Sequence, residues 1–263
     1  GIELNFGCPH GMSERGMGAA VGQVPEYVEM VTAWCKAFSE LPVIVKLTPN
    51  VTSIRQPARA AQQGGADAVS LINTISSVMS VDLDSFSVVP TIDRNGTHGG
   101  YCGPAVKPIA LHMVSDIARD PDCAGLPISA IGGISNWRDA AEFILLGAGN
   151  VQVCTAAMTH GFKIIDDMID GLTRYLAARD LDSVAHAVGK AVPSLTDWQY
   201  LNLNYTAKAQ IDQDLCIQYG RCHIACEDAS HQAISATRNG SRHYEIIEKE
   251  CVGCNLCVTV CPV

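Results

Sequence analysis

The chain has 263 residues, 48% of them hydrophobic, and 27 acidic against 18 basic side chains give a net charge of −9. That length holds one large domain or two smaller ones with a real core. The acidic balance argues against nucleic acid or an anionic membrane as partner, and no run of about 18 apolar residues spans a bilayer.

The chain opens inside a strand pattern, Gly1-Ile2-Glu3-Leu4-Asn5-Phe6, without an initiator methionine. No basic stretch followed by an apolar one marks a secretory signal. The sequence reads as an internal piece of a longer polypeptide. Short apolar runs then recur at residues 2–6, 43–47, 68–73, 128–131 and 151–155. Between the first two, Tyr27, Met30, Val31 and Trp34 fall at i, i+3, i+4, i+7, the spacing of one buried helix face. Ile165, Met168, Ile169 and Leu172 repeat that spacing in the last helix of the series. Repeating βα units predict a parallel sheet with helices outside it. Five units, where a closed (β/α)8 barrel has eight, predict the C-terminal part of such a barrel over residues 1–180, with the other three strands upstream. A doubly wound open sheet is the alternative. Residues 74–105 form a long polar insert, a candidate lid, and 181–213 read as a helical connector whose Trp198, Tyr200 and Tyr205 pack the domains together.

In a barrel, reactive groups collect at strand C-termini. Those positions here carry Asn5 and Cys8, Lys46, Asn73 and Thr74, Gly132 and Gly133, and Cys154 and Thr155. Backbone N–H groups in the last two loops can hold a phosphate; Gly-Gly also serves as a plain turn. Lys46 sits in the apolar run Val-Ile-Val-Lys-Leu, where a buried ammonium is costly unless its charge is used. It could face the N1–O2 edge of a reduced flavin, or lie at an edge with its stem snorkelling. A thiol titrates near 8.5 in water, so near neutrality it holds a proton it can give. Cys8, opening a Gly-rich loop (Gly11, Gly16, Gly18, Gly22), is therefore a candidate general acid on a substrate-gating loop.

The C-terminal stretch, 214–263, is the most specific. Cys251-Val-Gly-Cys254-Asn-Leu-Cys257-Val-Thr-Val-Cys261-Pro follows the C-x2-C-x2-C-x3-C-P spacing of bacterial [4Fe–4S] ferredoxins. Zinc sites instead use separated Cys/His pairs. Upstream, Cys216-Ile-Gln-Tyr219-Gly-Arg-Cys222-His-Ile-Ala-Cys226 repeats the template with tyrosine in place of its second cysteine. In the two-cluster pattern Cys226, Cys251, Cys254 and Cys257 hold one cubane. Cys216, Cys222 and Cys261 leave the other one thiolate short: a three-iron cluster, an unusual fourth ligand and loss of the cluster are all open. Seven of the 12 cysteines lie in this stretch, which fits free thiols in a reducing cytoplasm better than disulfides. The ferredoxin unit stops at Val263, directly after the cluster proline.

Three motifs, Asn5-Phe-Gly-Cys8-Pro-His-Gly-Met-Ser-Glu-Arg-Gly-Met-Gly, Val45-Lys46-Leu-Thr-Pro-Asn50 and Gly99-Gly-Tyr-Cys-Gly-Pro, resemble the dihydropyrimidine dehydrogenases. The likeness is to the iron–sulfur/flavin subunit of the bacterial NAD-dependent enzymes and runs from Gly1 to Val263. The barrel is more distantly similar to dihydroorotate dehydrogenase. The resemblance implies an FMN-binding barrel that reduces uracil or thymine to the 5,6-dihydro form, with hydride going to C6 and Cys8 protonating C5. It places Asn5, Phe6, Gly7, Asn73 and Thr74 on the pyrimidine, and Lys46, Gly103, Gly132, Gly133, Ile134, Cys154 and Thr155 on FMN. It further implies electrons from NADH, relayed through an FAD/NAD-binding partner subunit in a heterotetramer and then through the clusters. Gly7 stands where the mammalian enzymes have serine, which removes one substrate hydrogen bond. Dihydroorotate oxidation, and an electron-transfer module without chemistry of its own, are the competing expectations.

Overall fold

Alternation within very short strands decides the architecture. The computed structural model describes residues 1–10 and 15–263, so Gly11, Met12, Ser13 and Glu14 of the expected gating loop lie outside the described residues. The chain forms two units, Gly1–Leu195 and Thr196–Val263.

In the first unit β1 (Ile2–Asn5) leads through α1 (Ala19–Gly22) and α2 (Pro25–Phe38) to β2 (Val43–Lys46), and α3 (Arg55–Gln63) leads to β3 (Ala68–Leu71). Next comes an excursion of four strands, β4 (Ile75–Ser77), β5 (Ser80–Asp82), β6 (Ser87–Val89) and β7 (Gly99–Tyr101). The series resumes with α4 (Lys107–Ala118), β8 (Ile128–Ile131), α5 (Trp137–Leu145), β9 (Asn150–Gln152), α6 (Thr155–His160) and α7 (Ile164–Ala177). The main sheet is parallel, in the order β1-β2-β3-β8-β9. A doubly wound sheet reverses strand order at a switch point. No reversal occurs here, so these strands stand side by side as consecutive barrel staves do, in a sheet that does not close on itself.

Register gives the sheet two unlike faces. Leu4, Val45, Val69 and Ile128 share one row, and with Leu71 and Ala130 they enter a single core with Val28, Ala58, Val114, Ile117 and Phe143 from the helices. Asn5, Lys46, Ser70, Ser129 and Asn150 share the row that faces the other way. The helices cover the apolar face, and the polar face is left for a site.

Two helices bury only part of the stripe their spacing predicts: Val31 of α2 and Leu172 of α7 pack against the core and Met168 is buried. In α2 the buried residues are Val28 and Thr32, while Tyr27, Met30 and Trp34 are exposed. The cause is close packing: a Cβ on Gly64, which follows α3, would lie 2.6 Å from the Glu29 carbonyl oxygen and 2.8 Å from Thr32 Cβ. Only small residues fit that approach. In α7 Met168 and Gly171 are buried and Ile165 and Ile169 are exposed, because Gly171 admits the Trp137 ring of α5 where any Cβ would overlap it. The 74–105 insert is likewise built rather than structureless: β4 pairs antiparallel with β7, and β5 with β6. A guanidinium ties the outer layer: Arg59 of α3 donates from Nε and Nη2 to the Asp120 carboxylate at 2.7 and 2.8 Å.

Residues 181–213 hold only short 3-10 turns, 184–186, 192–194 and 198–200. The first two belong to the first unit, where Gly189 and Ala191 donate backbone N–H groups to Ile144 and Leu145. Trp198, Tyr200 and Tyr205, expected as packing residues, are exposed. In the second unit α8 (Arg221–Asp228) packs on the hairpin of β10 (Ile234–Asn239) and β11 (Ser241–Ile246), and α9 (Leu256–Thr259) follows. Its small core joins Cys226, Ala233, Ile234 and Tyr244.

Candidate active site and cluster sites

An open cleft of about 720 Å³ lies over the C-terminal ends of β2, β3, β8 and β9. Its walls include Lys46, Asn73, Thr74, Gly103, Gly132, Gly133, Ile134, Cys154 and Thr155, nine of the barrel residues singled out from sequence. Lys46 projects from the polar row with its side chain 18% exposed, and its ammonium stands 3.4 Å from Glu3 Oε1. Glu3 Oε2 accepts from Ser70 Oγ at 2.9 Å. Glu3, unnoticed in the sequence, thus supplies part of the counter-charge that a lysine in an apolar strand needs.

Asn5 and Asn73 meet beside this cleft. Asn73 Nδ2 donates to Asn5 Oδ1 at 2.9 Å, and the Gly7 amide donates to the same oxygen at 3.1 Å. Asn73 Oδ1 accepts from the Thr74 amide at 2.8 Å. Gly7 and Asn73 compete for one volume: a Cβ at residue 7 would fall within 2.7 Å of the Asn73 Cβ, Cγ and Nδ2. Asn50 is a further member, quoted in a motif but given no role. Its Nδ2 donates to the Thr74 carbonyl and its Oδ1 accepts from the Ser76 amide, which fixes the root of the β4–β7 hairpin to the β3 end.

Cys8 and Phe6 are not cleft walls. Phe6 is a core residue, 7% exposed, so only its backbone is available to a ligand. Ile134 is similarly buried. Cys8 is half-buried on the segment that follows Gly7, with Sγ 3.4 Å from the His10 carbonyl oxygen. Its own carbonyl accepts from the Ala19 amide, which pins the base of the loop.

The far end of the cleft is made of backbone. Gly132 and Gly133 adopt φ of 143° and 74°, and a Cβ on Gly133 would lie 2.8 Å from the Gly103 carbonyl oxygen. The two loops therefore approach as only glycine permits. The first amides of α6, from Thr155 on, have no intrahelical acceptor, so this end suits a phosphate in donor type and shape. The loop is braced from behind: Asp139 Oδ2 accepts from the Ser135 amide at 2.8 Å, and its Oδ1 takes the Lys107 ammonium at 2.7 Å. The hydrogen bonds to Asp139 and Glu142 raise the Lys107 pKa above the ordinary lysine value. That charge is spent inside the brace, not offered to a ligand.

In the second unit the cysteines line two cavities. Cys226, Cys251, Cys254 and Cys257 open on one of about 610 Å³. Cys216, Cys222 and Cys261, with Tyr219, open on another of about 850 Å³, which Cys257 lines as well. Among the described residues no three His, Cys, Asp or Glu side chains converge tightly enough for a single ion; a cubane sets its ligand sulfurs wider apart. Donor hydrogen bonds to sulfur, which tune cluster potentials, are in place: the Ala233 amide donates to Cys226 Sγ at 3.2 Å, and the Ala209 and Gly253 amides hold the Cys251 thiol below its usual pKa. Burial, with the Cys216 and Cys261 sulfurs nearby, pushes Cys222 up. Four thiols around one cavity fit a [4Fe–4S] cluster; with Cys257 among those four, the second cavity keeps three thiols of its own and a phenol.

A parallel α/β unit with a cleft at its strand ends, followed by a two-cluster ferredoxin unit, defines a redox protein of dehydrogenase type. Residues 1–176 match the dihydroorotate dehydrogenase family and residues 209–263 the 4Fe-4S dicluster domain. The chain belongs to the dihydroorotate dehydrogenase family and carries that dicluster domain at its C-terminal end.

It is 42% identical over 262 residues to the NAD-dependent dihydropyrimidine dehydrogenase subunit PreA of Escherichia coli, a match that takes in the whole chain and 63% of that protein. It is 39% identical over 198 residues to the chloroplastic dihydropyrimidine dehydrogenase (NADP(+)) of Arabidopsis thaliana, 74% of the chain and 46% of the relative. Against the catalytic subunit of dihydroorotate dehydrogenase B (NAD(+)) of Pyrococcus abyssi it is 42% identical over 191 residues, 73% of the chain and 60% of the relative. The chain thus spans less than two thirds of the length of these relatives. No described helix is long and apolar enough to cross a membrane.

Proposed function

We propose that this chain is the substrate-reducing part of a dihydropyrimidine dehydrogenase that binds FMN in the cleft and reduces the 5,6 double bond of uracil or thymine. The observation that carries the reading is the Asn5–Asn73 amide pair, set beside Lys46 and the Gly132/Thr155 loops. The two Asn5 Nδ2 hydrogens have no acceptor among the described residues, and an amide suits the alternating N–H and C=O edge of a pyrimidine. The likeness to dihydroorotate dehydrogenase B covers 73% of the chain, whereas that to the dihydropyrimidine dehydrogenase subunit covers all of it, dicluster domain included.

When bound, FMN would supply the hydride. The amides of Asn5 and Asn73 would orient the pyrimidine; Lys46 would supply a positive charge to the flavin, and the backbone of Gly132, Gly133 and Thr155 would hold its phosphate. Cys8 gives its thiol proton to C5. The cysteines of the second unit would hold clusters that supply electron relay, the electrons originating in NADH and entering through an FAD/NAD-binding partner subunit, in keeping with the word subunit in the relative's name.

The test is anaerobic turnover of the flavin-loaded full-length protein with a viologen dye, reduced for uracil and thymine and oxidised for dihydroorotate. Turnover of uracil or thymine at a greater rate than dihydroorotate supports the reading. Turnover of dihydroorotate alone contradicts it.

A further inference from the structure

The second cluster cavity carries an inference of its own, which rests on the iron–sulfur reading above. Tyr219 holds the template position of a ligand, yet its hydroxyl donates a hydrogen bond to the carbonyl of Val260, the residue before Cys261. A phenol that ligates iron must give up its proton and turn its oxygen to the metal. Here the proton is in use and the oxygen is turned to the backbone. Tyr219 is exposed, and this one hydrogen bond latches its hydroxyl to the polypeptide. Of the other side-chain oxygens in the wall, those of Gln210, Asp212 and Tyr244, Asp212 Oδ1 is engaged by the Asp214 and Leu215 amides. Four thiols reach this wall, but Cys257 also lines the first cavity, where the cysteine spacing assigns it; Cys216, Cys222 and Cys261 are the three that belong to this cavity alone.

We propose that Tyr219 is not a ligand and that this site is a three-thiolate centre whose fourth iron is labile. The centre rests as [3Fe–4S] and takes up iron reversibly. The balance is simple: the oxidised [3Fe–4S]⁺ core accepts one electron and then one ferrous ion, giving [4Fe–4S]²⁺ with no sulfide lost and no thiolate released. Solvent fills the outer position of the added iron. The cavity wall includes Leu215 and Ile217, each more than 60% exposed. The first cavity, with four thiols, has no such corner.

The test is paramagnetic resonance and iron analysis of the anaerobically purified full-length protein. Expected are about seven irons per chain, not eight, and the signal of an oxidised three-iron cluster. Dithionite with ferrous ion should abolish that signal and bring the count to about eight. Tyr219→Phe should behave like the unmodified protein, because only the latch is lost. Tyr219→Cys should never show the three-iron signal and should hold two stable cubanes. Two ordinary cubanes in the unmodified protein, a spectrum altered by Tyr219→Phe, or one cubane with an empty second site would each overturn the proposal. Absence of both clusters would instead defeat the iron–sulfur reading on which it rests.

Discussion

Asn73 holds Asn5 through a 2.9 Å hydrogen bond in space that any side chain at residue 7 would need. The glycine is therefore not a serine with one contact missing. Restoring serine should evict Asn73 rather than add a hydrogen bond. Gly7→Ser should lower kcat/KM for uracil about tenfold or more, given about 1–3 kcal/mol for overpacking or an unpaired polar group, with the flavin spectrum unchanged. Asn73→Ala should cost a similar amount alone and much less in the Gly7→Ser background, since both remove one contact. Additive losses would separate the two residues.

Lys46 and Glu3 form the charged end of the polar row. Lys46→Met should leave a protein that still folds, because the stem is conserved in length, and should shift the flavin potential to more negative values as a cation is lost from its edge. Spectroelectrochemistry of the flavin-loaded protein reads this directly. An unchanged potential would put Lys46 in the scaffold with Glu3.

The Arg59–Asp120 pair gives a stability prediction away from the site. Hydrogen bonds from Arg59 hold Asp120 below the usual carboxylate pKa, and the Asp120 side chain is fully buried. A depressed carboxylate contributes stability that is complete above its unfolded pKa of about 4 and is lost as pH falls through the lower folded value. Asp120→Ala should cost about 3 kcal/mol at neutral pH, seen in the calorimetric transition of the first unit. The gap between variant and parent should close on acidification below pH 4. A gap independent of pH would show that packing, not charge, is lost.

Much of this was legible in the residues. The βα alternation and the cysteine spacing predict both units, because short strands and cluster loops are local patterns. Helix spacing does not anticipate the exposure of Tyr27, Met30 and Trp34, because Gly64 draws α3 so close that Thr32, not a large residue, takes the interface. Glu3, Asn50 and Asp139 escaped notice for a related reason. Each acts across a gap of tens of residues or behind a loop, through partners that only register and packing bring within 3.5 Å. Phe6 lies in the right segment but points its ring into the core, a distinction that strand alternation alone could have made.

The central claim, reduction of a pyrimidine with Cys8 as the proton donor, is tested most directly by single-turnover reoxidation. The full-length protein is loaded with FMN, reduced anaerobically and mixed with uracil, and flavin absorbance is followed. The account predicts rapid reoxidation with formation of dihydrouracil, and a rate about 10²–10⁴-fold lower in Cys8→Ala, which should bind FMN as the parent does. Reoxidation by uracil at the parent rate in that variant, or none by uracil or thymine in the parent, would contradict it.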